Sequence, residues 1–367
     1  MNFAVIKYKE HRQRKGIPVI GKRIEAYHVV EAVGRGSIST VYRAQQTTTG
    51  ANVVVKVLDS PQDVETLQKF GATLDAVMTL DHDHIVRVFE HNLHHPTPYL
   101  LTQYLICAPL SEVLDHTYLS LPDAVVVARG VAAALDYAHG RGVIHGDVQP
   151  ANILLDIAGG VFLSDFGVRQ LTRVDLAGGT LAYTAPEQAV DRPYDHRSDI
   201  YGLGVVLFHA LTGHLPYEGD TGVELAVKHI RQPVPPVTAY HPHLPESVDE
   251  AIARALAKQP EHRYADASAL AEALASTLED PQTVQTFSDA LMALVDHLAR
   301  RPREATPPSI NPVDEDIERP TTLRLNLAQP PPVGSSWSGL VMLLVLLILV
   351  VSIGVMILAL AASIDLG

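Results

Sequence analysis

Apolar positions recur along the chain with two different periods, and the period changes between residues 115 and 120. Before that point, short runs such as YHVVEAVG, ANVVVKVLD and PYLLTQYL predict strands. One helical period interrupts them around residues 61–79. Later runs such as DAVVVARGVAAALDYAHG and SDIYGLGVVLFHALTG predict mainly helices. The pattern therefore predicts a small β-rich part followed by a larger helical part.

A third pattern occupies the C-terminal end, where residues 340–362 form 23 consecutive positions without a charge. A helix of that length rises about 35 Å, which exceeds the roughly 30 Å hydrocarbon core of a bilayer. Five arginines lie between residues 300 and 324, whereas residues 363–367 carry one acid and no base. Because positive flanks stay on the cytoplasmic side, we expect a single-pass cell-membrane protein whose large N-terminal part is cytoplasmic.

Composition divides the rest of the chain. Residues 1–24 are rich in Lys and Arg and predict a basic N-terminal arm. Residues 300–336 are rich in Pro, Thr and Ser and cannot bury enough apolar surface to fold, which predicts a disordered linker. Residues 281–299 keep a helical period and predict a closing helix. Residues 25–280 remain as one folded domain, and residues 363–367 as a short external tail.

The charge balance narrows the class of partner. The formal net charge of -13 argues against a nucleic-acid partner, because neutralising phosphates needs a basic surface. An anionic ligand would have to be held by a local group of cations. The single cysteine, Cys107, excludes an intrachain disulfide.

Five short motifs follow one another between residues 27 and 275. VGRGSISTVYRA and VVVKVL come first, and HGDVQPAN, SDFG and GTLAYTAPEQ follow in that order. Each motif alone is a weak signal, since glycine turns and strand lysines are common, but their joint order is specific. The chain resembles the eukaryotic-like Ser/Thr protein kinases of bacteria. The resemblance implies an α+β, bilobal protein-kinase fold, with a β-rich N-lobe at 25–105 and a helical C-lobe at 106–280, followed here by the single transmembrane helix.

The resemblance also implies ATP and Mg²⁺ or Mn²⁺ as cofactors and protein Ser or Thr hydroxyls as acceptors. Phosphoryl transfer requires positioning and charge stabilisation, because the transferred group is polyanionic. Asp147 would orient the acceptor hydroxyl and take its proton, and Asn152 and Asp165 would ligate the metal ions. Lys56 would contact the α and β phosphates of ATP. The other matching positions are Gly34, Gly36, Val41, the gatekeeper Thr102 and the backbone of Gln103 and Leu105 for the nucleotide, with Gln149 and Thr180 beside the catalytic aspartate.

Two further matches are architectural. Glu187 of the APE motif is expected to pair with Arg263. Asp199, at the start of a predicted helix, is expected to brace the backbone of the HGDVQPAN loop, and an aspartate is favoured at a helix start in any case.

Three departures from the family pattern bear on activity. Gly146 stands where Arg is usual, which removes the cation that a phosphorylated activation loop contacts. Gln149 stands where Lys is usual, and losing one charged donor costs on the order of 10²- to 10³-fold in rate. Thr73 occupies the position of the glutamate that pairs with Lys56. Asp75 lies roughly 200° further around the helix, and Glu65 lies more than two turns upstream.

These departures leave two hypotheses open. Retention of Lys56, Asp147, Asn152 and Asp165 favours a Ser/Thr protein kinase with slow chemistry. The changes at Gln149 and Thr73 favour the alternative, a membrane-tethered pseudokinase that acts as a nucleotide-binding scaffold.

Overall fold

The computed structural model describes residues 20–35, 39–58, 64–95, 98–168, 179–282 and 284–301. In the N-terminal part, antiparallel strands form a six-stranded sheet in the order β1-β2-β3-β4-β6-β5. The strands are β1 (Arg23–Ile24), β2 (Tyr27–Arg35), β3 (Ser39–Gln46), β4 (Asn52–Leu58), β5 (Val88–Asn92) and β6 (Tyr99–Gln103). The predicted β-rich part is therefore confirmed.

Two separate hydrophobic clusters cover the two faces of this sheet. Tyr99 and Leu101 of β6 are buried in one cluster, and the intervening Leu100 is buried in the other, as the two-residue period of a strand requires. Helix α1 (Val64–Val77) supplies Phe70 and Leu74 to the second cluster. The helix predicted at 61–79 thus covers one face of the sheet, on the side of Leu100.

The following helical part is also confirmed. A second, three-stranded sheet joins it, with β7 (Cys107–Pro109), β8 (Ile153–Asp156) and β9 (Val161–Leu163) in sequential order. The helices are α2 (Leu110–Leu114), α3 (Leu121–His139), α4 (Pro186–Ala189), α5 (Arg197–Thr212), α6 (Gly222–Arg231), α7 (Glu246–Ala255), α8 (Ala267–Ala275) and α9 (Asp289–Arg300).

Helix α5 is the centre of this lobe, and its residues from Ile200 to Phe208 are all buried. Gly202 lets α5 approach the HGDVQPAN loop, because a Cβ there would lie 3.0 Å from the carbonyl oxygen of Val148. At Gly130 of α3, a Cβ would lie 2.7 Å from Cβ of Val161 in β9. Glycine thus permits close contact of both helices with the chain segments that carry the site.

Two predicted boundaries differ from the structure. The closing helix begins at Asp289 and not at 281, because Ser288 caps it by accepting a hydrogen bond from the backbone of Leu291. The basic arm was expected to extend to residue 24, but Arg23–Ile24 pairs with β2, and Ile24 is buried. Helix α9 packs against α2, β7 and β8, so it belongs to the helical lobe.

The remaining expectations fall outside the described residues. These are the arm before residue 20, the linker from 302 to 336, the predicted span at 340–362 and the tail at 363–367. Among the residues that are described, no helix combines the length and the apolar character needed to cross a bilayer.

Candidate active site

The HGDVQPAN loop folds so that three predicted site residues contact one another. Gln149 donates a hydrogen bond from Nε2 to Oδ2 of Asp147 at 2.7 Å. Asn152 donates from Nδ2 to the same oxygen at 3.1 Å and to the backbone oxygen of Asp147 at 2.8 Å. Both side-chain bonds end on Oδ2, which leaves Oδ1 of Asp147 as the oxygen that can face an acceptor hydroxyl.

Asp199 braces this loop from the start of α5, as predicted. Its Oδ2 accepts from the backbone N–H of His145 at 2.9 Å, and its Oδ1 accepts from the N–H of Gly146 at 2.7 Å. His139, at the end of α3, lies 2.7 Å from Oδ2 through Nε2. Because Asp199 is 1% exposed, the loop is held by a buried carboxylate between two helices.

The loop is also attached to the SDFG segment. His145 donates a hydrogen bond from Nε2 to the backbone oxygen of Ser164 at 2.8 Å, and its ring meets that of Phe166 edge-on at 4.6 Å. The backbone N–H of Ser164 donates to the oxygen of Asn152 at 2.9 Å. These bonds make Asn152 and Asp165, the two predicted metal ligands, close neighbours.

Lys56 and Asp165 are brought together across the two lobes. The ammonium of Lys56, on β4, contacts Oδ1 of Asp165 directly. Asp165 has a positive φ of 67°, an uncommon conformation for a residue with a side chain. The register of β3 with β4 places Val41 opposite Lys56, so the predicted nucleotide residues of both strands lie side by side.

The helix α1 offers Lys56 no carboxylate at the predicted position. Thr73 points toward the SDFG segment, because its methyl carbon would lie 2.5 Å from a Cβ built on Gly167. Asp75 lies on another side of α1 and contacts Nε2 of His91 at 2.9 Å. The sequence left open whether Asp75 or Glu65 replaces the usual glutamate, and in the structure the carboxylate of Asp75 contacts His91. The side chain of Glu65 lies outside the described residues.

The positions expected to face adenine are described in part. Thr102 is 5% exposed and shares a small cavity with Lys56 and Asp165. The backbone N–H of Gln103 donates to the oxygen of Arg87 at 2.9 Å and is therefore not available to a nucleotide. Leu105 follows on the connection to β7, half-buried.

The glycine turn is also described only in part. Gly34 lies at an irregularity of the β2–β3 pairing, which gives the backbone local freedom. Gly36 and the side chain of Thr180 lie outside the described residues.

The donor atoms fit a hard divalent cation. Asn152 uses Nδ2 for both bonds to Asp147, so its amide oxygen faces away from that residue. Mg²⁺ prefers oxygen ligands, and the carboxylate of Asp165 together with the amide oxygen of Asn152 supplies them. These two residues would therefore hold the metal ions that accompany ATP.

The predicted ion pair of the APE motif is confirmed. Arg263 binds both oxygens of Glu187 at 2.7 and 2.8 Å, and Ser198 donates to Glu187 at 2.6 Å. Burial acts to raise the pKa of Glu187, but the hydrogen bonds and charge of Arg263 outweigh it and lower that pKa. The pair fixes α4 to the rest of the lobe.

Sequence reasoning missed two polar residues beside this site. Gln188, the next residue of α4, donates from Nε2 to the backbone oxygen of Gly146 at 3.0 Å. His229 of α6 is 1% exposed and lies 2.8 Å from the hydroxyl of Tyr201, which makes it part of a buried network beneath residues 179–183. Burial lowers the pKa of His229 to about 3, with Lys258 adding to the effect. Gln188 ends the GTLAYTAPEQ motif without an assigned role, and nothing in the sequence distinguishes His229 from a solvated histidine.

Sequence and structure comparisons relate the chain to known proteins. The family described as "Protein kinase domain" matches residues 27–275. Serine/threonine-protein kinase Pkn1 of Myxococcus xanthus is 36% identical over 276 residues, which cover 72% of this chain and 40% of that protein. PrkC of Bacillus subtilis is 32% identical over 256 residues, with coverages of 67% and 40%.

Among solved structures, the kinase domain of Mycobacterium tuberculosis PknI superposes with a TM-score of 0.60 at 26% identity. The match covers 71% of this chain and 99% of that domain. The matched part of this chain therefore spans almost all of the PknI domain, whereas the match with Pkn1 or PrkC covers only 40% of the length of those proteins.

Proposed function

Because this chain belongs to the protein kinase family, to which residues 27–275 match, we propose that it transfers the γ-phosphate of ATP to Ser or Thr hydroxyls of proteins. One observation carries the proposal: Asp147, Asn152, Asp165 and Lys56 form one connected group. Asp147 contacts Asn152, the oxygen of Asn152 accepts from Ser164, and Asp165 contacts Lys56. The names of relatives such as Pkn1 and PrkC support Ser and Thr as the acceptor class.

Each residue has a task that follows from its position. Asp147 orients the acceptor hydroxyl and accepts its proton through Oδ1, while Gln149 and Asn152 hold Oδ2. Lys56 attracts the phosphates from β4. Asn152 and Asp165 would hold metal ions, which would neutralise the charge of the phosphates when bound.

We also propose that the rate is low. Gln149 donates a neutral hydrogen bond to Asp147, where a lysine would bring a full positive charge to the transferring phosphate. Preorganised charge is among the largest contributions to such rates, and loss of one donor costs on the order of 10²- to 10³-fold.

A second candidate function is a nucleotide-binding scaffold without catalysis. The observation that favours it is the direct contact of Lys56 with Asp165 together with Thr73, which carries no charge, at the usual glutamate position. In this case the output would be conformational, and ATP would bind without being consumed.

Labelled γ-phosphate transfer by the full chain with Mg²⁺ or Mn²⁺ distinguishes the two candidates. The kinase proposal expects incorporation that Asp147→Asn abolishes and that Asp83→Asn, a charge-matched change at an exposed position, leaves intact. Binding of ATP, detected as thermal stabilisation, without any incorporation would support the scaffold and contradict the kinase.

We further propose a single-pass cell-membrane location, with the kinase part in the cytoplasm. The uncharged run at 340–362 and the arginines before it support this arrangement. A topology reporter fused after Gly367 tests it, because a cytoplasmic signal there would overturn the orientation.

A further inference from the structure

The residue before the catalytic aspartate is held from both sides. The backbone N–H of Gly146 donates to Asp199 of α5 at 2.7 Å, and its carbonyl oxygen accepts from Gln188 of α4 at 3.0 Å. Gly146 has a positive φ of 78°, a conformation that glycine adopts without a steric penalty. The peptide that leads into Asp147 is thus fixed by two side chains from two different helices.

The orientation of the Gln188 amide is set by a second bond. Its Oε1 accepts from the backbone N–H of Ala185 at 3.2 Å, which leaves Nε2 to face Gly146. Gln188 is 4% exposed, so its bond to Gly146 lies away from bulk solvent. A buried carbonyl without a partner is costly.

Helix α4 is a firm support for this contact. Glu187 precedes Gln188 and is bound through both carboxylate oxygens to Arg263, whose side chain is fully buried. The four-residue helix is therefore anchored on one side to Arg263 and on the other to Gly146. Residues 179–183 lead directly into α4, so the geometry connects that segment to the catalytic loop.

We propose that Gln188 is a positioning residue for phosphoryl transfer, which fixes Asp147 by holding the carbonyl of Gly146. This inference rests on the proposed kinase function and extends it. Gly146 lacks the cationic side chain usual at its position. The catalytic loop is therefore connected to α4 through the backbone carbonyl of Gly146, which accepts a hydrogen bond from Gln188. No charge on the loop is needed to make that link.

Two substitutions separate positioning from packing. Gln188→Glu keeps an oxygen for Ala185 but places a carboxylate oxygen against the Gly146 carbonyl, whereas Gln188→Ala removes both bonds. We expect kcat of each variant of the full chain to fall about tenfold at about pH 8, with KM for ATP unchanged. Gln282→Glu, an exposed glutamine changed in the same way, is the charge control.

The pH profile provides a readout that packing alone would not change. A protonated carboxyl donates a hydrogen bond, so Gln188→Glu regains the bond to Gly146 as the pH falls. Relative to the unaltered chain, its kcat should rise about threefold between about pH 8 and about pH 6, because burial raises the pKa of a carboxyl. The ratio of kcat for Gln188→Ala to kcat for the unaltered chain should not change with pH. Flat ratios for both variants, or equal losses in kcat and ATP affinity, would overturn the inference.

Amide hydrogen exchange tests the same contact without catalysis. In Gln188→Glu at about pH 8, exchange of the peptide covering residues 143–149 should quicken, while that of α8 stays unchanged. Unchanged exchange in the loop would overturn the contact. If the unaltered chain transfers no phosphate, the proposed function fails, and the exchange result alone decides whether Gln188 holds the loop.

Discussion

The ammonium of Lys56 contacts the carboxylate of Asp165, so the strand lysine is oriented by the SDFG aspartate and not by helix α1. Thr73 is the position on α1 that faces Gly167, and a carboxylate there would give Lys56 a second partner. We expect Thr73→Glu to raise kcat/KM about fivefold, the effect of about 1 kcal/mol from a partly exposed ion pair.

Thr73→Gln is the control for this prediction, since it matches the size of the new side chain without its charge. Initial rates of labelled phosphate transfer at several ATP concentrations provide the measurement. An equal gain in both variants would show that packing, and not charge, limits the rate.

Gln149 is the second position where a charge has been replaced. Its Nε2 contacts Asp147 at 2.7 Å, so a lysine there would place an ammonium beside the same carboxylate. We expect Gln149→Lys to raise kcat on the order of 10²-fold, because a charged donor stabilises the transferring phosphate more than a neutral one. Gln149→Met removes the donor and should lower kcat. A rate that does not respond to either change would contradict a role for residue 149 in transfer.

His229 predicts a loss of stability in mild acid. Burial lowers its pKa to about 3 in the folded chain, below the value of 6.5 for a free imidazole. Between about pH 6.5 and about pH 3, His229 is protonated in the unfolded chain but neutral in the folded chain. The free energy of unfolding therefore falls by up to about 1.4 kcal/mol for each pH unit of acidification in that range. Above about pH 6.5, protonation of His229 no longer reduces the free energy of unfolding.

The measurement is urea unfolding at several values between about pH 7 and about pH 5. His229→Gln cannot take up a proton, so its curve should fall less steeply with acid than that of the unaltered chain. His297→Gln, at an exposed position of α9, should leave the slope as it is. Parallel slopes for all three chains would show that His229 does not titrate on unfolding.

The contacts of Asp123 predict how much the attachment of α9 contributes to the free energy of unfolding. This buried carboxylate of α3 accepts from the backbone N–H of Ser288 at 2.7 Å and from its hydroxyl at 2.9 Å. Asp123→Ala would leave these donors without a partner, at a cost of about 2 to 3 kcal/mol in the free energy of unfolding. Chemical denaturation measures the change, with Asp289→Ala at the exposed first turn of α9 as the comparison. A loss below about 0.5 kcal/mol would mean that α9 is held by its apolar face alone.

The sequence predicted those parts of the site whose spacing is set by local backbone geometry. The positions of Asp147, Gln149 and Asn152 follow from one short loop, and they contact one another as expected. The pairing of Glu187 with Arg263 spans 76 positions, and it was predictable only through the family resemblance.

Contacts between side chains of common type could not be foreseen. Gln188 ends the GTLAYTAPEQ motif, but the resemblance assigns it no role, and His229 lies in no motif. Their roles depend on which group lies opposite each of them after folding. The start of α9 was missed for another reason. Val284 and Phe287 continue the apolar period before Ser288, although they pack outside the helix.

Helix α9 also determines where the chain can be truncated without exposing buried apolar surface. The family match stops at residue 275, but the buried face of α9, with Leu291, Val295 and Leu298, packs on β7 and β8 beyond that limit. β7 follows the segment that contains Gln103 and Leu105, and β8 begins directly after Asn152. A fragment ending at 275 would expose the apolar surface of β7 and β8 that α9 covers and would favour aggregation. The shortest fragment suited to expression and crystallisation therefore extends to Arg301.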